Sequence, residues 1–383
     1  MQPGVYHDLT NAEYHGGPGI SKSGLDLIHK SPLHLRHVLD AANDEQEEPS
    51  GAFLIGTATH CAILEPGKFV SDFARAPRLA DYPDAVADRD ELVRRVQALN
   101  ENRLPKLPTS GSKPEMIARI VAALEEMPAV EYITMAEMEG MKAAELKTIL
   151  ENLNQNRPGL LPTTGTMAEL AALLREQGQP VTLWSDIRDE WHRNNGHRTI
   201  LKDEEFQQVA AMRDAVMAHP MAARLLNPES GLPEQSVYWV DAITGELCRC
   251  RPDWWHQDAR GDILVDLKTT EDASPEGFAR SVAKWRYHVQ AAMYSDGVEA
   301  ATGRKPRAFV FIAVEKKAPH AVGVYALDAA SIDAGRVEYR ADLSRYAECR
   351  ATGVWPGYSD KIQPISLPVW FMRQHEAANA EQA

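Results

Sequence analysis

Ten residues, GDILVDLKTT from Gly261 to Thr270, restrict what this chain can fold into more than any other stretch. The run is apolar, bounded by turn residues and opened by Gly261, which predicts a strand. Side chains alternate in direction along a strand, so Asp266 and Lys268 share one face while Val265 and Leu267 point to the other. An acid and a lysine held side by side against an apolar core predict a polar site on a rigid element, at a sheet edge.

The surroundings of that strand set the fold class. Before residue 234 the pattern is helical; after it, EQSVYWVDAITGELCRCRPDWW predicts a hairpin turning near Thr244-Gly245 and ending near Asp253. Downstream, SPEGFARSVAKWRYHVQAAMYSDGVEAATG predicts one long helix stopping near Gly303. RAFVFIAVEK and AVGVYAL predict strands, and SIDAGRVEYRADLSRYAECR a closing helix. Helix, three strands, helix, strands, helix is the order of an α/β fold, a mixed sheet flanked by helices. At the other end, Ser21 or Ser23 is placed to cap a helix that Pro32 interrupts. An acidic stretch, AANDEQEEPSG, follows, and then GAFLIGTATHCAILEPGKF predicts an apolar helix containing His60.

The middle of the chain repeats itself. The segments from Glu91 and from Glu145 align without gaps through Leu-Asn-x-Asn-Arg (Leu99 to Arg103, Leu153 to Arg157) and Leu-Pro-Thr-x-Gly (Leu107 to Gly111, Leu161 to Gly165). Each copy reads as helix, extended Pro-containing loop, helix, with Ser or Thr capping the second helix. The copies resemble the helix–extended loop–helix modules related to SAP domains. Both mix acids and bases, so a packed pair of structural hairpins, a docking arm and a DNA-binding element all stay open. The expected organisation is an N-terminal part at 1–90, a small all-α insert at 91–180, and the catalytic core at 181–383.

Composition adds limits. A net charge of −14 argues against a protein that coats nucleic acid, because that requires Lys and Arg lined against phosphates. It does not exclude a local basic groove beside metal-holding carboxylates. Cys61, Cys248, Cys250 and Cys349 contain no C-x-x-C pair, and no apolar run approaches the length of a membrane span. A cytoplasmic protein with reduced thiols, not associated with membrane, is expected.

Asp253 is placed to bring a second carboxylate to Asp266. Two carboxylates and a backbone carbonyl such as that of Leu267 make a hard oxygen site suited to Mg²⁺, with Mn²⁺ able to substitute. Lys268 would orient a nucleophile or stabilise negative charge as it develops. Taken alone, Asp-x-Lys is as well explained by a surface ion pair, His60 by a core histidine, and Gln290 with Tyr294 by packing at helical spacing.

In combination and in this order, Gly56-Thr-Ala-Thr-His60, Asp253, Asp266-Leu-Lys268 and Gln290-Ala-Ala-Met-Tyr294 resemble the RecB-like branch of the PD-(D/E)XK nucleases. The stretches GISKSGLDLI, GTATHCAILEP, ELCRCRPD, VDLKTT, WRYHVQAAMYSDG and SLPVW resemble the nuclease domains of the exodeoxyribonuclease VIII (RecE) family more closely. That resemblance covers nearly everything outside the repeats. It implies a restriction-endonuclease-like fold, catalytic positions at His60, Asp253, Asp266 and Lys268, and metal ligation by His60, Asp253, Asp266 and Leu267. Gln290, Tyr294, Glu234, Ser21 and Ser23 would support the site or contact DNA, though Ser21 and Ser23 equally fit a helix cap and Glu234 a loop acid. The implied activity is Mg²⁺-dependent degradation of one strand of linear double-stranded DNA, 5′ to 3′, in prophage recombination. The implied partner is a RecT-type annealing protein, and the implied state a homo-oligomer. The cysteines do not follow the pattern of relatives that hold an iron–sulfur cluster, so no cluster is expected. An endonuclease or flap-processing nuclease shares every one of these residues. A DNA-binding scaffold with a vestigial site is the reading from another class.

Overall fold

The computed structural model describes residues 1–41, 51–126, 133–369 and 371–372; most of the acidic stretch after Ala41, and Trp370 of SLPVW, lie outside them. The chain divides into two compact units, Met1–Phe73 with Glu204–Ala383, and Ala74–Asp203.

The first unit is built on a five-stranded mixed sheet. In chain order its strands are β2 (Gly231–Pro233), β5 (Trp254–Asp258), β6 (Gly261–Thr270), β7 (Ala308–Glu315) and β8 (Val322–Ala326), in the spatial order β8-β7-β6-β5-β2. β6 runs parallel to β7 from Ile263↔Ala308 to Thr270↔Glu315, and antiparallel to β5 only from Gly261↔Asp258 to Val265↔Trp254. Beyond Val265, then, one edge of β6 is released from its ladder, and Asp266 to Lys268 lie on that released part. A smaller sheet pairs β1 (Gly4–Tyr6), β3 (Ser236–Val240) and β4 (Leu247–Cys250) in the order β1-β3-β4.

Helices cover the sheets. They include α1 (Lys22–Lys30), α2 (Gly51–Leu64), α3 (Pro275–Lys284), α4 (Tyr287–Thr302) and α5 (Ala329–Thr352). Phe309 to Val314 are all buried, as expected of a strand covered on both faces. The core joins Leu25 and Ile28 of α1, Val289 and Met293 of α4, Phe309 and Phe311 of β7, and Leu343 of α5. α4 packs tightly on both sides. A Cβ at Gly335 would lie 2.2 Å from the His288 carbonyl oxygen, and one at Gly297 2.5 Å from the Trp239 ring.

Two expectations about elements need correction. The hairpin β3–β4 does not end at Asp253: its second strand stops at Cys250, and Trp254 begins β5 in the other sheet. Asp253 therefore sits where the chain crosses between sheets. The long helix after β6 is two helices, broken at Arg286, whose φ of 55° is left-handed. A non-glycine residue there costs roughly 1–3 kcal/mol. Three carboxylates offset it: the Arg286 guanidinium bonds Glu338 at 3.1 Å, Asp26 at 2.8 Å and Asp342 at 2.5 Å.

The second unit holds the repeats and extends beyond them at both ends. Its helices Arg89–Asn100, Lys113–Glu125, Ala143–Gln155 and Met167–Glu176 follow the helix, extended loop, helix plan, and Ser112 and Thr166 form capping boxes with Glu115 and Glu169. The helices of one repeat do not pack as a separate hairpin. Leu92 and Val96 of the first helix share a core with Leu170 and Leu174 of the last. Ile117 and Ile120 of the second share another with Leu146 and Leu150 of the third. The matched asparagines lock the exchange. Asn100 bonds the Leu161 N–H at 2.7 Å and its carbonyl at 3.0 Å, and Asn154 bonds those of Leu107 at 2.8 and 2.9 Å.

Candidate active site

Asp266 is the centre of the site, 1% exposed on the released end of β6. Its Oδ1 lies 2.5 Å from Lys268 Nζ, and its Oδ2 accepts a hydrogen bond from Gln290 Nε2 on α4. Lys268 thus reaches back along its own face of the strand, as the alternation predicts. Asp253 arrives from the crossing between sheets, and its Oδ2 accepts the Leu267 N–H at 2.7 Å. That N–H has no strand partner because β5 has already ended at Trp254. His60 of α2 places Nδ1 3.4 Å from the same Asp253 oxygen. His60, Asp253, Asp266, Leu267, Lys268 and Gln290, spread over 230 residues of sequence, therefore converge.

The remaining expected residues lie further out. The Tyr294 ring packs edge-on against Phe309 at 6.1 Å, beside the core. Ser21 is the N-cap of α1, accepting the Gly24 N–H at 3.4 Å, whereas Ser23 is exposed on that helix. Glu234 holds a left-handed φ of 52°, donates its backbone N–H to the Asp253 carbonyl at 3.1 Å, and keeps its carboxylate 3.9 Å from Arg251.

Two neighbours carry no motif and were not anticipated. The Tyr287 ring lies 4.6 Å from Lys268 Nζ, a cation–π contact. Lys22, between the two serines, bonds Asp26 at 2.7 Å and the Trp285 carbonyl at 2.8 Å. Both lie inside stretches that carry the resemblance, GISKSGLDLI and WRYHVQAAMYSDG, but neither stands at one of the motif positions.

Burial sets the protonation pattern. It pushes the His60 pKa down to about 4, helped by the Lys268 charge, so the ring is neutral at neutral pH. Burial, then the charge of Asp266, raises Asp253 well above the usual carboxylate range. Burial opposes the charge on Lys268, yet Asp266 and Asp253 outweigh it and hold its pKa above the ordinary lysine value. Lys268 is thus a fixed ammonium rather than a base.

Glu234 is pushed up to about 7, by burial first and by Glu65. Its folded pKa lies above its ordinary 4.5, so the folded chain holds a proton that the unfolded chain releases. The stability this provides is complete below about pH 4.5 and is lost as pH rises through about 7. In metal-free buffer, Glu234→Gln is expected to melt a few degrees above the parent at pH above about 7, and together with it below about pH 4.5. Calorimetry across that range checks it; a shift that does not vary with pH would assign the effect to something other than this proton.

Among the described residues, no three His, Cys, Asp or Glu side chains form a ready-made metal cluster. A hard cation of the Mg²⁺ type does not need one, since it is held through one or two carboxylates with substrate phosphates and water. The donors present fit that demand. Asp266 Oδ1 is buried and satisfied only by the Lys268 ammonium among the described contacts, and Asp253 stands beside it with the neutral His60 ring and the Leu267 backbone.

Comparison with known proteins matches residues 184–368 to the PDDEXK-like domain of unknown function DUF3799. No curated protein matches the chain. Among solved structures, a candidate exonuclease from Eubacterium rectale is 14% identical with a TM-score of 0.35, covering 58% of this chain and 83% of its own. The structure of SSO0001 is 14% identical with a TM-score of 0.21, over 46% and 87%. Neither likeness is close enough to bear on the chemistry. Among the described residues, no helix is long and apolar enough to cross a membrane. The matched span contains the whole five-stranded sheet together with Asp253, Asp266, Lys268 and Gln290, and its mixed sheet flanked by helices is a restriction-endonuclease-like fold.

Proposed function

We propose that the protein is a Mg²⁺-dependent deoxyribonuclease that degrades one strand of linear double-stranded DNA from an end, 5′ to 3′. The observation that carries the reading is the convergence of Asp253 and Lys268 on the buried Asp266, inside a PDDEXK-like domain. Asp253, Asp266, His60 and the Leu267 carbonyl would hold the cation. When bound, it would polarise the scissile phosphodiester and lower the pKa of water. Gln290 fixes the Asp266 carboxylate through its Oδ2, while Oδ1 faces Lys268. Lys268, held protonated, presents positive charge where the phosphate gathers negative charge in the transition state. Direction of attack, a RecT-type annealing partner, a homo-oligomeric state and a role in prophage recombination rest on the resemblance to the RecE-type domains.

The test is digestion of end-labelled linear duplex beside a covalently closed circle, with Mg²⁺, Mn²⁺ or Ca²⁺. The linear duplex should be degraded from its ends with Mg²⁺ or Mn²⁺, at similar rates for unrelated sequences, while the circle survives. Discrete fragments from the circle would replace the exonuclease with an endonuclease. Intact DNA of both kinds would remove the nuclease reading.

A further inference from the structure

Between α3 and α4 the chain carries Trp285, a large aromatic side chain that is 54% exposed. A solitary exposed apolar residue needs no explanation in itself, but this one is held unusually firmly. Its backbone N–H bonds the Ser281 carbonyl at 2.9 Å, and its own carbonyl accepts from Lys22 Nζ at 2.8 Å. The next residue is Arg286, in its left-handed conformation and tied to Asp26, Glu338 and Asp342. The one after that is Tyr287, whose ring lies against Lys268 Nζ at 4.6 Å. Partly buried ion pairs thus pin the turn that presents Trp285, two residues from the contact with the site lysine. Strained, over-determined backbone of this kind characterises binding sites.

The chemistry around the ring selects a ligand. Lys284 places Nζ over one face of the Trp285 ring, 4.7 Å from its centroid, so a cation lies on that face of the exposed π surface and a base would stack on the other. A rigid aromatic plane beside an exposed ammonium fits a nucleobase with its attached phosphate, since every base has a π face and every nucleotide an anion. We propose that Trp285 is a stacking platform for the terminal nucleobase of a DNA end presented to the Asp266–Lys268 site. The proposal rests on the nuclease reading above and adds a substrate contact to it. Lys284 contributes a phosphate contact, and the Lys22 and Arg286 networks are positioning elements that keep the ring in place.

The experiment uses the full chain and duplexes carrying 2-aminopurine at a terminal position. In an Asp266→Asn background, where turnover does not consume the end, the probe should be quenched on binding. Trp285→Ala should abolish that quenching and Trp285→Phe should retain part of it. With Asp266 intact, Trp285→Ala should raise KM about tenfold, the loss expected for one base stack, and leave kcat within about twofold. Its melting temperature should match the parent's, because the side chain is mostly in solvent; if it does not, Trp285→Leu, which keeps bulk without a π face, takes its place. Unchanged quenching and unchanged KM in the folded variant overturn the proposal. A parent chain that quenches the probe yet degrades no DNA leaves the platform standing and removes the nuclease reading instead.

Discussion

Asp266→Asn should reduce DNA degradation by at least about a thousandfold while the protein stays folded and still binds DNA. Asparagine has the shape of aspartate, so the packing around a side chain that is 1% exposed is kept, and its amide oxygen can still accept from Gln290. What disappears is one negative charge. Lys268 loses its nearest carboxylate, at 2.5 Å, and the proposed cation loses a ligand. Removing one partner of a buried ion pair is ordinarily destabilising, but here the same change relieves Asp253 of the charge that raises its pKa. The two effects oppose each other, so the melting temperature should move little. Lys268→Ala should lower kcat by about a hundredfold or more with a smaller change in KM, because its charge acts chiefly as the transition state forms. Measured kcat, KM and melting curves decide the matter. Near-normal cleavage by purified Asp266→Asn would sink the assignment, and a Lys268→Ala effect confined to KM would contradict the role given to the lysine.

Deleting a single repeat should unfold what remains of the second unit, whereas deleting the whole unit should leave the first one folded. If each repeat were a self-contained hairpin, removing residues 135–177 would leave the other hairpin intact. Instead, the Arg89–Asn100 helix has its apolar face on the Met167–Glu176 helix, and the Lys113–Glu125 helix has its face on Ala143–Gln155. Cutting away one repeat strips Leu170, Ala171 and Leu174 from one core and Met138, Leu146 and Leu150 from the other, a loss of several large apolar side chains at about 1.5–3 kcal/mol each. Asn154→Ala alone should cost about 1–3 kcal/mol, since it leaves the Leu107 N–H and carbonyl without their partner. The complete unit is a cleaner excision because its own ends meet: the Ala76 N–H donates to the Leu201 carbonyl at 2.8 Å, and Arg75 bonds Asp203 at 3.2 Å. Hydrogen exchange, read separately on peptides from the two units, checks both halves of the prediction. Protected helices at 89–125 in the single-repeat deletion would show that the exchange is not needed for folding.

What the sequence by itself determined is local in origin. Alternation along β6 was enough to place Asp266 and Lys268 on one face, since it depends only on strand geometry. The cap at Ser21, the stop at Pro32 and the capping boxes of the repeats follow from side chains that bond their own backbone within a turn. The spacing of Gln290 and Tyr294 gave them similar directions on α4, although only Gln290 bonds Asp266. Tertiary structure decided the rest, wherever the deciding partner lies far away in sequence. The helix break at Arg286 has no Gly or Pro to announce it. It exists because Asp26, Glu338 and Asp342 come from α1 and α5 to hold a conformation the residue would otherwise avoid. Asp253 meets the Leu267 N–H because β5 stops short and leaves that group without a ladder partner. The repeats exchange helices because each apolar face finds its complement in the other copy, a choice that two nearly identical patterns leave open until both are folded together.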